Sequence, residues 1–405
     1  MRPDPVTRRV RRLGVLAIVL AAAQLGCAAE AVPVTDDVDD ALPDLALADL
    51  ATVDLGAPRV VEIAARADHT CARYGDGDVL CWGDNKQQEF GVGGPTRLVG
   101  DHIHGLGAVV EIALGDEHAC ARLADGTLEC SGSNYSGQLG DDSFDWSTTP
   151  VAVSGLRGAR AVALGAYHGC ALLGDGQMSC WGQNDFGQLG TGDTSQRRAP
   201  AAVLSGPFEQ MALGDRFSCA LRAGGVLCWG DNFDNALGDW LPPQSSVPTP
   251  VAGLVDVVQI AAGARHACAL HARGTIDCWG DNTHGQLGDG TIARRQRPVA
   301  VAGIAGAIAV ALGGDHSCAL MRDGGVRCWG ENGDGEDGDG TQVDRQYGTT
   351  VTGLTDATAL ALGTSHSCAL RRDGRVLCWG ANRVGQLGDD TTQLKLHPEL
   401  IFIGR

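Results

Sequence analysis

The chain has 405 residues, of which 44% are hydrophobic, 20% charged and only 5% aromatic. Its formal net charge of −18 disfavours a nucleic-acid backbone or an anionic membrane surface as a partner. Fifteen cysteines indicate metal sites or catalysis in a cytosolic chain, but disulfides in an exported one.

The N-terminus has the pattern of an export signal. Five arginines and one aspartate precede an apolar run, Leu13–Leu25, which is too short for a membrane span but suits a signal-peptide core. The run leads into Gln24-Leu25-Gly26-Cys27, which resembles a bacterial lipobox, and this resemblance implies that Cys27 is lipidated. Cleavage after Ala29–Ala31, with loss of Cys27, is the alternative. We predict a signal peptide over residues 1–26 and a protein outside the cytoplasm, either a lipoprotein of the outer membrane or cell surface or a secreted protein.

Residues 27–57 form an acidic, low-complexity segment. It contains Glu30 and seven aspartates but no lysine or arginine. Like charges repel one another and extend such a chain, so we predict a tether that holds the folded part away from a surface. A helical partner-binding segment is the alternative, although the acidic residues share no consistent helical face.

Internal repetition dominates the rest of the chain. Fourteen cysteines fall into seven pairs, and the first cysteine of each pair follows the previous one by 49 or 50 residues. Clear copies are His316–Gly330 and His366–Gly380, and each repeat continues into a turn-rich stretch such as Gly280–Thr291. The repeat is therefore the structural unit of this chain.

Each repeat predicts four short antiparallel strands, because apolar alternation and Gly/Asp turns recur about every ten residues. Seven small sheets bury both faces when they pack as blades around an axis. We predict an all-β, seven-bladed β-propeller of four-stranded blades over residues 58–405. The first repeat lacks the Pro-Val strand that opens the others, and the chain ends with an orphan copy, Pro398–Gly404. We expect this C-terminal strand to complete the first blade and close the ring.

The cysteine spacing predicts a disulfide across each hairpin. In six repeats the two cysteines are ten residues apart, and a three-residue loop ending in a left-handed glycine places them opposite each other. The fourth repeat has a spacing of nine, and a two-residue loop at Ala223 and Gly224 restores the pairing. Metal sites are the alternative, but two thiolates are an incomplete ligand set for zinc. The predicted pairs are Cys71–Cys81, Cys120–Cys130, Cys170–Cys180, Cys219–Cys228, Cys268–Cys278, Cys318–Cys328 and Cys368–Cys378.

The repeat resembles that of the regulator of chromosome condensation repeat family. The shared elements are His-Ser-x-Ala-Leu, Asp-Gly-x-Val and Trp-Gly-x-Asn-x-x-Gly-Gln-Leu-Gly-Asp-Gly-Thr, over residues 58–405. This resemblance implies a seven-bladed propeller. The founding member is a nuclear guanine nucleotide exchange factor that uses a wedge inserted in one blade, whereas the constant spacing here leaves no room for one. Secreted relatives include a β-lactamase inhibitory protein, which implies protein binding through face loops.

Individual repeats depart from the pattern. The substitutions are Ser131 for Trp, Phe217 for His, Glu89 and Phe90 for Gln and Leu, and Asp337 for Leu. They affect the regularity of single blades and leave the repeat count unchanged.

Six histidines recur two residues before the first cysteine of a pair. A residue used once per blade usually meets the same packing or hydrogen-bonding need each time, so we interpret these histidines as structural rather than as a metal site. The Asp-Gly clusters lie where turns are expected and form no complete calcium loop. A sialidase Asp-box has five residues from Asp to Trp, whereas Asp323 and Trp329 are six apart. We predict no cofactor, no metal and no enzymatic activity.

The residues that break the repeat symmetry are the best candidates for binding. Phe144, Trp146, Trp240 and Leu241 occupy inter-blade loops where other repeats carry polar side chains, and exposed aromatics are good interface anchors. Buried loop plugs would have the same sequence. Other blades are basic in this segment, which predicts an aromatic and basic face, with a solvated rim as the alternative. The basic candidates are Arg197, Arg198, Arg294, Arg295, Arg297, Arg345 and Lys395.

Two functions remain open from the sequence. The first is a non-enzymatic recognition module, tethered outside the cytoplasm, for a protein partner or an envelope glycan. It would bind no nucleic acid and contact a membrane only through its lipid anchor. The second is regulatory: nucleotide exchange on a GTPase, as the resemblance implies, or inhibition of a secreted enzyme.

Overall fold

The computed structural model describes residues 59–90, 96–103, 105–239 and 242–401. These residues contain 28 β-strands and no helix. The strands form seven four-stranded antiparallel sheets, and each sheet is a contiguous stretch of chain. The predicted all-β, seven-bladed propeller is confirmed. The predicted signal peptide, the predicted lipidation site Cys27 and the predicted tether lie outside the described residues.

Each blade runs outwards from the centre of the ring, because the first strands of neighbouring blades contact one another around a central channel. The innermost strands are β1 (Val60–Arg66), β5 (Val109–Leu114), β9 (Ala159–Leu164), β13 (Gln210–Leu213), β17 (Val257–Ala262), β21 (Ala307–Leu312) and β25 (Ala357–Leu362). The second strands are β2 (His69–Tyr74), β6 (His118–Leu123), β10 (His168–Leu173), β14 (Phe217–Arg222), β18 (His266–His271), β22 (His316–Met321) and β26 (His366–Arg371).

The two outer strands complete each blade. The third strands are β3 (Val79–Asp84), β7 (Leu128–Gly132), β11 (Met178–Gly182), β15 (Gly225–Asp231), β19 (Ile276–Gly280), β23 (Val326–Gly330) and β27 (Val376–Gly380). The outermost strands are β4 (Thr96–His102), β8 (Ser147–Ala152), β12 (Arg197–Ala202), β16 (Gln244–Pro250), β20 (Arg295–Ala300), β24 (Arg345–Thr350) and β28 (Lys395–Leu400).

The predicted closure of the ring by the C-terminal strand is wrong. The Pro-Val segment does not open the next blade: it is the outermost strand of its own blade, as Pro150 and Val151 show in β8, which pairs with β7. The C-terminal β28 likewise pairs with β27. Blade 1 supplies its own fourth strand, β4, whose sequence lacks the Pro-Val signature and therefore escaped detection.

Contacts between the first and last blades close the ring instead. Strand β1 packs against β25, as every innermost strand packs against its neighbour. At the channel mouth the Thr364 amide donates to the Ala67 carbonyl at 2.8 Å. Equivalent bonds run from Asp215 to Ala264 and from Gly314 to Thr364, at 3.1 and 3.3 Å. The first and last blades therefore meet through the same hydrogen bonds that join the other blades, and no strand exchange is needed.

The hairpin prediction is confirmed in detail. Each cysteine pair forms a disulfide with its Cα atoms 4.1 Å apart. In blade 4, Arg222 pairs with Gly225, so Ala223 and Gly224 form the expected two-residue loop, with φ of 51° and 75°. Positive φ at both positions matches the twist of the flanking strands, and this keeps Cys219 opposite Cys228 although the loop is one residue shorter.

Buried tryptophans join the blades. Trp329 is fully buried, and its Nε1–H donates to the Gln286 carbonyl of the preceding blade at 2.9 Å. Five other blades repeat this bond between the Trp-Gly and Gly-Gln-Leu elements. In blade 2 the shorter Ser131 donates its hydroxyl to the Glu89 carbonyl at 2.7 Å. The two most distinctive motif elements are therefore the two halves of one inter-blade contact.

Replacing Cys318 and Cys328 together by alanine is expected to lower the free energy of unfolding by about 1–3 kcal/mol, because the bridge closes a short loop that the hairpin already restrains. Urea unfolding of the oxidised variant beside the wild type measures this difference. Reduction of the native protein should add two hydrogen atoms for each of the seven bridges, and a smaller mass increase would contradict the pairing.

Candidate functional site

The strand order gives the ring two different ends. The turns between first and second strands and the long loops between third and fourth strands lie at one end, which we call the loop face. The short hairpins between second and third strands lie at the other end, the hairpin face. The loop face therefore holds most of the variable chain, and loops on a rigid scaffold are where binding residues concentrate.

The central channel opens on the loop face in a cavity of about 460 Å³. Arg66 of blade 1 crosses it: its Nε donates to Asp116 at 2.9 Å and its Nη2 to Asp215 at 2.8 Å. Burial lowers the pKa of Arg66, but the two carboxylates outweigh this effect and raise it. Burial raises the pKa of Asp215 to about 6, against the opposing effect of Arg66. One guanidinium thus ties three blades together across the channel.

The other six blades have glycine where blade 1 has Arg66. At Gly313, for example, a Cβ atom would collide with the ring of His316, so that histidine in its observed position leaves room only for glycine. The glycines are Gly115, Gly165, Gly214, Gly263, Gly313 and Gly363.

Among the described residues, five aromatic side chains lie in the long loops, between third and fourth strands, of three consecutive blades, and we call them the aromatic patch. Their positions are Tyr135, Phe144 and Trp146 in blade 2, Phe186 in blade 3 and Phe233 in blade 4. Tyr135, Trp146 and Phe233 are 71%, 53% and 65% exposed. The rings of Phe186 and Phe233 meet edge to face at 6.4 Å. Exposed rings of this size on adjacent loops are typical of interface anchors.

The structure places Phe144 and Trp146 as exposed residues rather than as buried loop plugs. Trp240 and Leu241, the other two aromatic and apolar candidates, lie outside the described residues. Tyr135, Phe186 and Phe233 were missed by the sequence reasoning. They follow the invariant loop Asn by one or two positions, where other blades carry residues such as Lys86 or Arg383. That contrast with the repeat pattern was the available signal.

The basic candidates do lie at one end of the ring, at or just before the starts of outermost strands, but aspartates neutralise them. Arg198 binds Asp142 at 3.0 Å and also lies 5.9 Å from the ring centre of Phe144. Arg294 binds both Asp234 and Asp281 at 3.0 Å. The remaining pairs are Arg197–Asp193, Arg295–Asp289, Arg297–Asp239, Arg345–Asp339 and Lys395–Asp389. The predicted basic character of this face is therefore cancelled by its own carboxylates.

The repeated histidines are fully buried between blades. The imidazole Nε2 of His316 lies 2.9 Å from the Ser367 hydroxyl of the next blade, and His366 makes the same contact with Thr70 at 2.7 Å. His69 and His118 have no hydrogen-bond partner, because the next blade offers no hydroxyl at that position. The six residues are His69, His118, His168, His266, His316 and His366.

Burial lowers the pKa of every one of these histidines to about 3 or 4. They are therefore neutral at physiological pH. No group of three or more His, Cys, Asp or Glu side chains in the described ranges is arranged to hold a metal ion. The same residues contain no helix with the length and apolar character of a membrane span.

Buried carboxyl groups mark two irregular blades. Glu89 and Glu336 take the place of the repeat glutamine, and burial raises the pKa of each to about 8. Asp337 takes the place of the repeat leucine, and neither of its carboxyl oxygens has a hydrogen-bond partner. Burial raises its pKa well above the ordinary value, with smaller effects from Asp339 and Glu336. Each of these buried carboxyl groups destabilises the folded state when it is ionised.

A second cavity on the loop face, of about 310 Å³, lies at the junction of blades 4 and 5, and we call it the 4/5 cleft. Ala236 replaces the repeat glutamine there. In blade 5 that glutamine, Gln286, reaches across the next junction to Asp315 at 3.0 Å, and Gln386 reaches Asp68 in the same way. Loss of this side chain leaves the junction open, and the cleft shares Asp215 with the channel mouth.

Comparison with known proteins agrees with this geometry. The model of the Regulator of chromosome condensation (RCC1) repeat matches seven times, once in each blade: residues 60–89, 109–138, 159–188, 208–235, 257–286, 307–336 and 357–386. The chain belongs to the RCC1 repeat family. A second RCC1 repeat model matches residues 175–221, 223–270, 274–320 and 373–404. No curated protein matches the chain.

Solved structures share the RCC1 fold at low sequence identity. Human WBSCR16 is 22% identical, with a TM-score of 0.72 over 77% of this chain and 86% of that chain. Prp20p from Saccharomyces cerevisiae, a protein with binding properties to Gsp1p and histones, is 22% identical, with a TM-score of 0.73 over 85% and 87%. The ectodomain of the Physcomitrella patens receptor kinase CR4 is 20% identical, with a TM-score of 0.52 over 80% and 74%.

Proposed function

We propose that this RCC1-repeat protein is a non-enzymatic binding module that works outside the cytoplasm and recognises a protein partner through the aromatic patch. The observation that supports this proposal most directly is the clustering of exposed aromatic side chains on the long loops of blades 2 and 4, with the half-buried Phe186 of blade 3 between them, whereas the other exposed aromatic among the described residues, Tyr347, lies in strand β24 of blade 6. A propeller whose function was only structural would not need exposed aromatic side chains on some blades and not on others. Exposed large aromatics cost solubility unless they are covered by a partner.

The compartment follows from the cysteines. Seven disulfides indicate an oxidising environment, because cytosolic reductants keep thiols reduced. The lipobox-like Gln24–Cys27 segment supports the further proposal that a lipid on Cys27 tethers the ring to an envelope membrane. Residues 27–57 would then act as the spacer.

Nucleotide exchange receives less support. At 22% identity the likeness to Prp20p concerns the fold, and what Prp20p binds is a property of that protein. The disulfide within each blade also favours an oxidising compartment, where a cytosolic GTPase would not be met. We therefore place the exchange role second.

Removing the aromatic patch is expected to abolish partner recovery. The triple variant Phe144→Ala, Trp146→Ala and Phe233→Ala should lose the proteins that cross-linking recovers from envelope fractions with the wild type, because truncating an aromatic hot spot of an interface costs about 2 kcal/mol or more. A matched triple on the hairpin side, Val255→Ala, Val258→Ala and Ile308→Ala, removes exposed apolar side chains of which Val255 is 67% exposed. Equal recovery by both triple variants would refute the proposed face.

Lipidation is tested separately. Metabolic labelling with palmitate should mark the wild type and not a Cys27→Ala variant. If the wild type were unlabelled and found in the culture medium, the protein would be secreted rather than anchored by a lipid.

A further inference from the structure

The aromatic patch is set in an acidic surface. On the loop face, carboxylates outnumber cationic side chains by about two to one, whereas the hairpin face is close to balanced. Most of the net charge of −18 therefore lies on the loop face, the end of the propeller that carries the aromatic patch. Such a field attracts positively charged partners and repels anionic ones.

The cationic side chains beside the 4/5 cleft already interact with carboxylates or aromatic rings of the protein. Arg265 at the 4/5 cleft is bound to Asp281 and Asp315, both at 3.3 Å. Arg216, on the opposite wall, lies over the ring of Phe186 at 5.2 Å. Asp231, by contrast, has no cationic side chain within ion-pair distance among the described residues. Its carboxylate accepts a hydrogen bond from the Phe233 amide at 2.9 Å.

The 4/5 cleft is lined by three carboxylates, by Arg216 and Arg265, and by an apolar floor. Two of the carboxylates, Asp215 and Asp234, already pair with Arg66 and Arg294, which leaves Asp231 as the carboxylate without a cationic partner in the described part of the chain. Asp215, Asp231 and Asp234 face the cavity, and Phe217 and Ala236 form part of its base. Burial raises the pKa of Asp231, with a smaller opposing effect from its hydrogen bond to Phe233. A carboxylate that is partly withdrawn from water interacts more strongly with a cation than a carboxylate in bulk water does.

The rings beside the cleft are suited to the same ligand. Phe186, which meets the ring of Phe233 edge to face, contacts the guanidinium of Arg216, which shows that a ring at this position accepts a cation. Phe233 is 65% exposed and directly precedes Asp234 of the cleft. An aromatic face next to carboxylates is the usual receptor for an arginine or lysine side chain.

We propose that the loop face of blades 2 to 4 docks a basic segment of its partner protein and that an arginine or lysine of this segment enters the 4/5 cleft. The proposal rests on the proposed function and adds the chemistry of the partner. An acidic segment would be repelled by the surface. An uncharged segment would cover Asp231 without compensating the charge, which is unfavourable.

A defined peptide tests this inference. The probe is a fluorescent twelve-residue peptide that alternates arginine with glycine and serine, and its control replaces each arginine by citrulline, which keeps the shape and removes the charge. We expect the full-length protein to bind the arginine peptide about tenfold more tightly in 150 mM salt, measured by fluorescence anisotropy.

A matched pair of variants separates a specific site from general attraction to an acidic protein. Asp231→Asn removes one charge at the cleft while its side-chain oxygen can still accept from the Phe233 amide. Asp323→Asn removes one charge on the hairpin face, where Asp323 accepts from the Gly325 amide at 3.0 Å in the same local turn. We expect Asp231→Asn and Phe233→Ala each to weaken binding about fivefold to tenfold, and Asp323→Asn to change it less than twofold.

The outcomes are distinguishable. Equal binding of the arginine and citrulline peptides, or equal weakening by Asp231→Asn and Asp323→Asn, would overturn the basic-segment inference. If the aromatic triple variant still lost its cross-linked partners, the proposed function would survive that result. Arginine-specific binding that depends on Asp231, combined with partner recovery that ignores the patch, would instead overturn the proposed function.

Discussion

Asp337→Leu is expected to raise the free energy of unfolding by about 3 kcal/mol at pH 8. Asp337 is fully buried, and both of its carboxyl oxygens lack a hydrogen-bond partner. Its backbone amide donates to Asn332 at 2.9 Å, as the amide of Leu287 donates to Asn282 at 3.0 Å in the preceding blade, so a leucine fits the local backbone. The gain combines the removal of an unsatisfied buried polar group with the burial of an apolar side chain.

The pH dependence of this gain has a definite sign. Since the folded protein holds a raised pKa at Asp337, the folded state binds this proton more tightly than the unfolded state. The wild type therefore loses stability as pH rises above the ordinary value of 3.8, and Asp337→Leu removes that loss. Urea unfolding at pH 5 and pH 8 should show the larger difference at pH 8.

The reciprocal change is the control. Leu287→Asp places the same carboxyl group at the equivalent buried position of blade 5 and should destabilise the protein by a similar amount. A wild type as stable as Asp337→Leu at pH 8 would mean that the carboxyl group has a partner in solution. A difference that shrank with rising pH would also contradict the account.

His118→Phe is expected to increase stability in acid and to leave it nearly unchanged at pH 7.5. His118 is buried without a hydrogen-bond partner, and burial lowers its pKa to about 3. The unfolded state, with an ordinary pKa of 6.5, then binds the proton more tightly. In the wild type, the contribution of neutral His118 to stability is complete above pH 6.5 and is lost as pH falls towards 3. At pH 4.5 the variant should therefore be about 2–3 kcal/mol more stable than the wild type.

Phenylalanine is the appropriate replacement because blade 4 already uses it. Phe217 occupies the histidine position there, beside Gly214 and fully buried like the histidines. His316→Phe is the matched control, since it also loses the hydrogen bond to Ser367 and should cost about 1 kcal/mol at pH 7.5. Thermal unfolding between pH 4 and 8 compares the three proteins. If His118→Phe and the wild type lost stability in parallel below pH 6, the buried neutral histidine would not be the cause.

Six buried histidines of this kind should lower the stability of the whole fold in acid. Each has its pKa lowered to about 3 or 4, so each adds to the loss of stability below pH 6.5. Glu89 and Glu336 act in the opposite direction, because their pKa values of about 8 cause a loss of stability as pH rises above 4.5. The two effects overlap between pH 4.5 and 6.5, where six histidines outweigh two glutamates, so stability should be greatest near pH 6.5, at which the loss from the histidines ends.

Local patterns in the sequence were sufficient for the repeat unit and its hairpin. The cysteine spacing specified the register of β14 and β15 even where the loop is one residue shorter, because a disulfide requires its two Cα atoms to be close. The boundary between one blade and the next was harder to predict. The Pro-Val strand lies between two blades in the sequence, and only hydrogen bonding shows that β8 pairs with β7 rather than with the next blade.

The candidate site divides in the same way. Phe144 and Trp146 were predicted because they interrupt a repeat, and a departure from a repeat is visible in the sequence alone. The neutralisation of Arg294 by Asp234 and Asp281 was not visible, since these residues belong to different loops. The 4/5 cleft was not visible either, because the effect of Ala236 depends on how closely blades 4 and 5 pack at their junction.

The sequence by itself determined the number of blades, the covalent pairing within each hairpin and the positions where the repeat is broken, because these depend on spacing along the chain. The tertiary structure decided how the ring closes, which end carries the exposed rings and whether that end is basic or acidic. Those properties depend on the distances between residues some fifty positions or more apart, such as Ala67 and Thr364. A charge or a strand edge has no fixed partner until the blades are arranged around the axis.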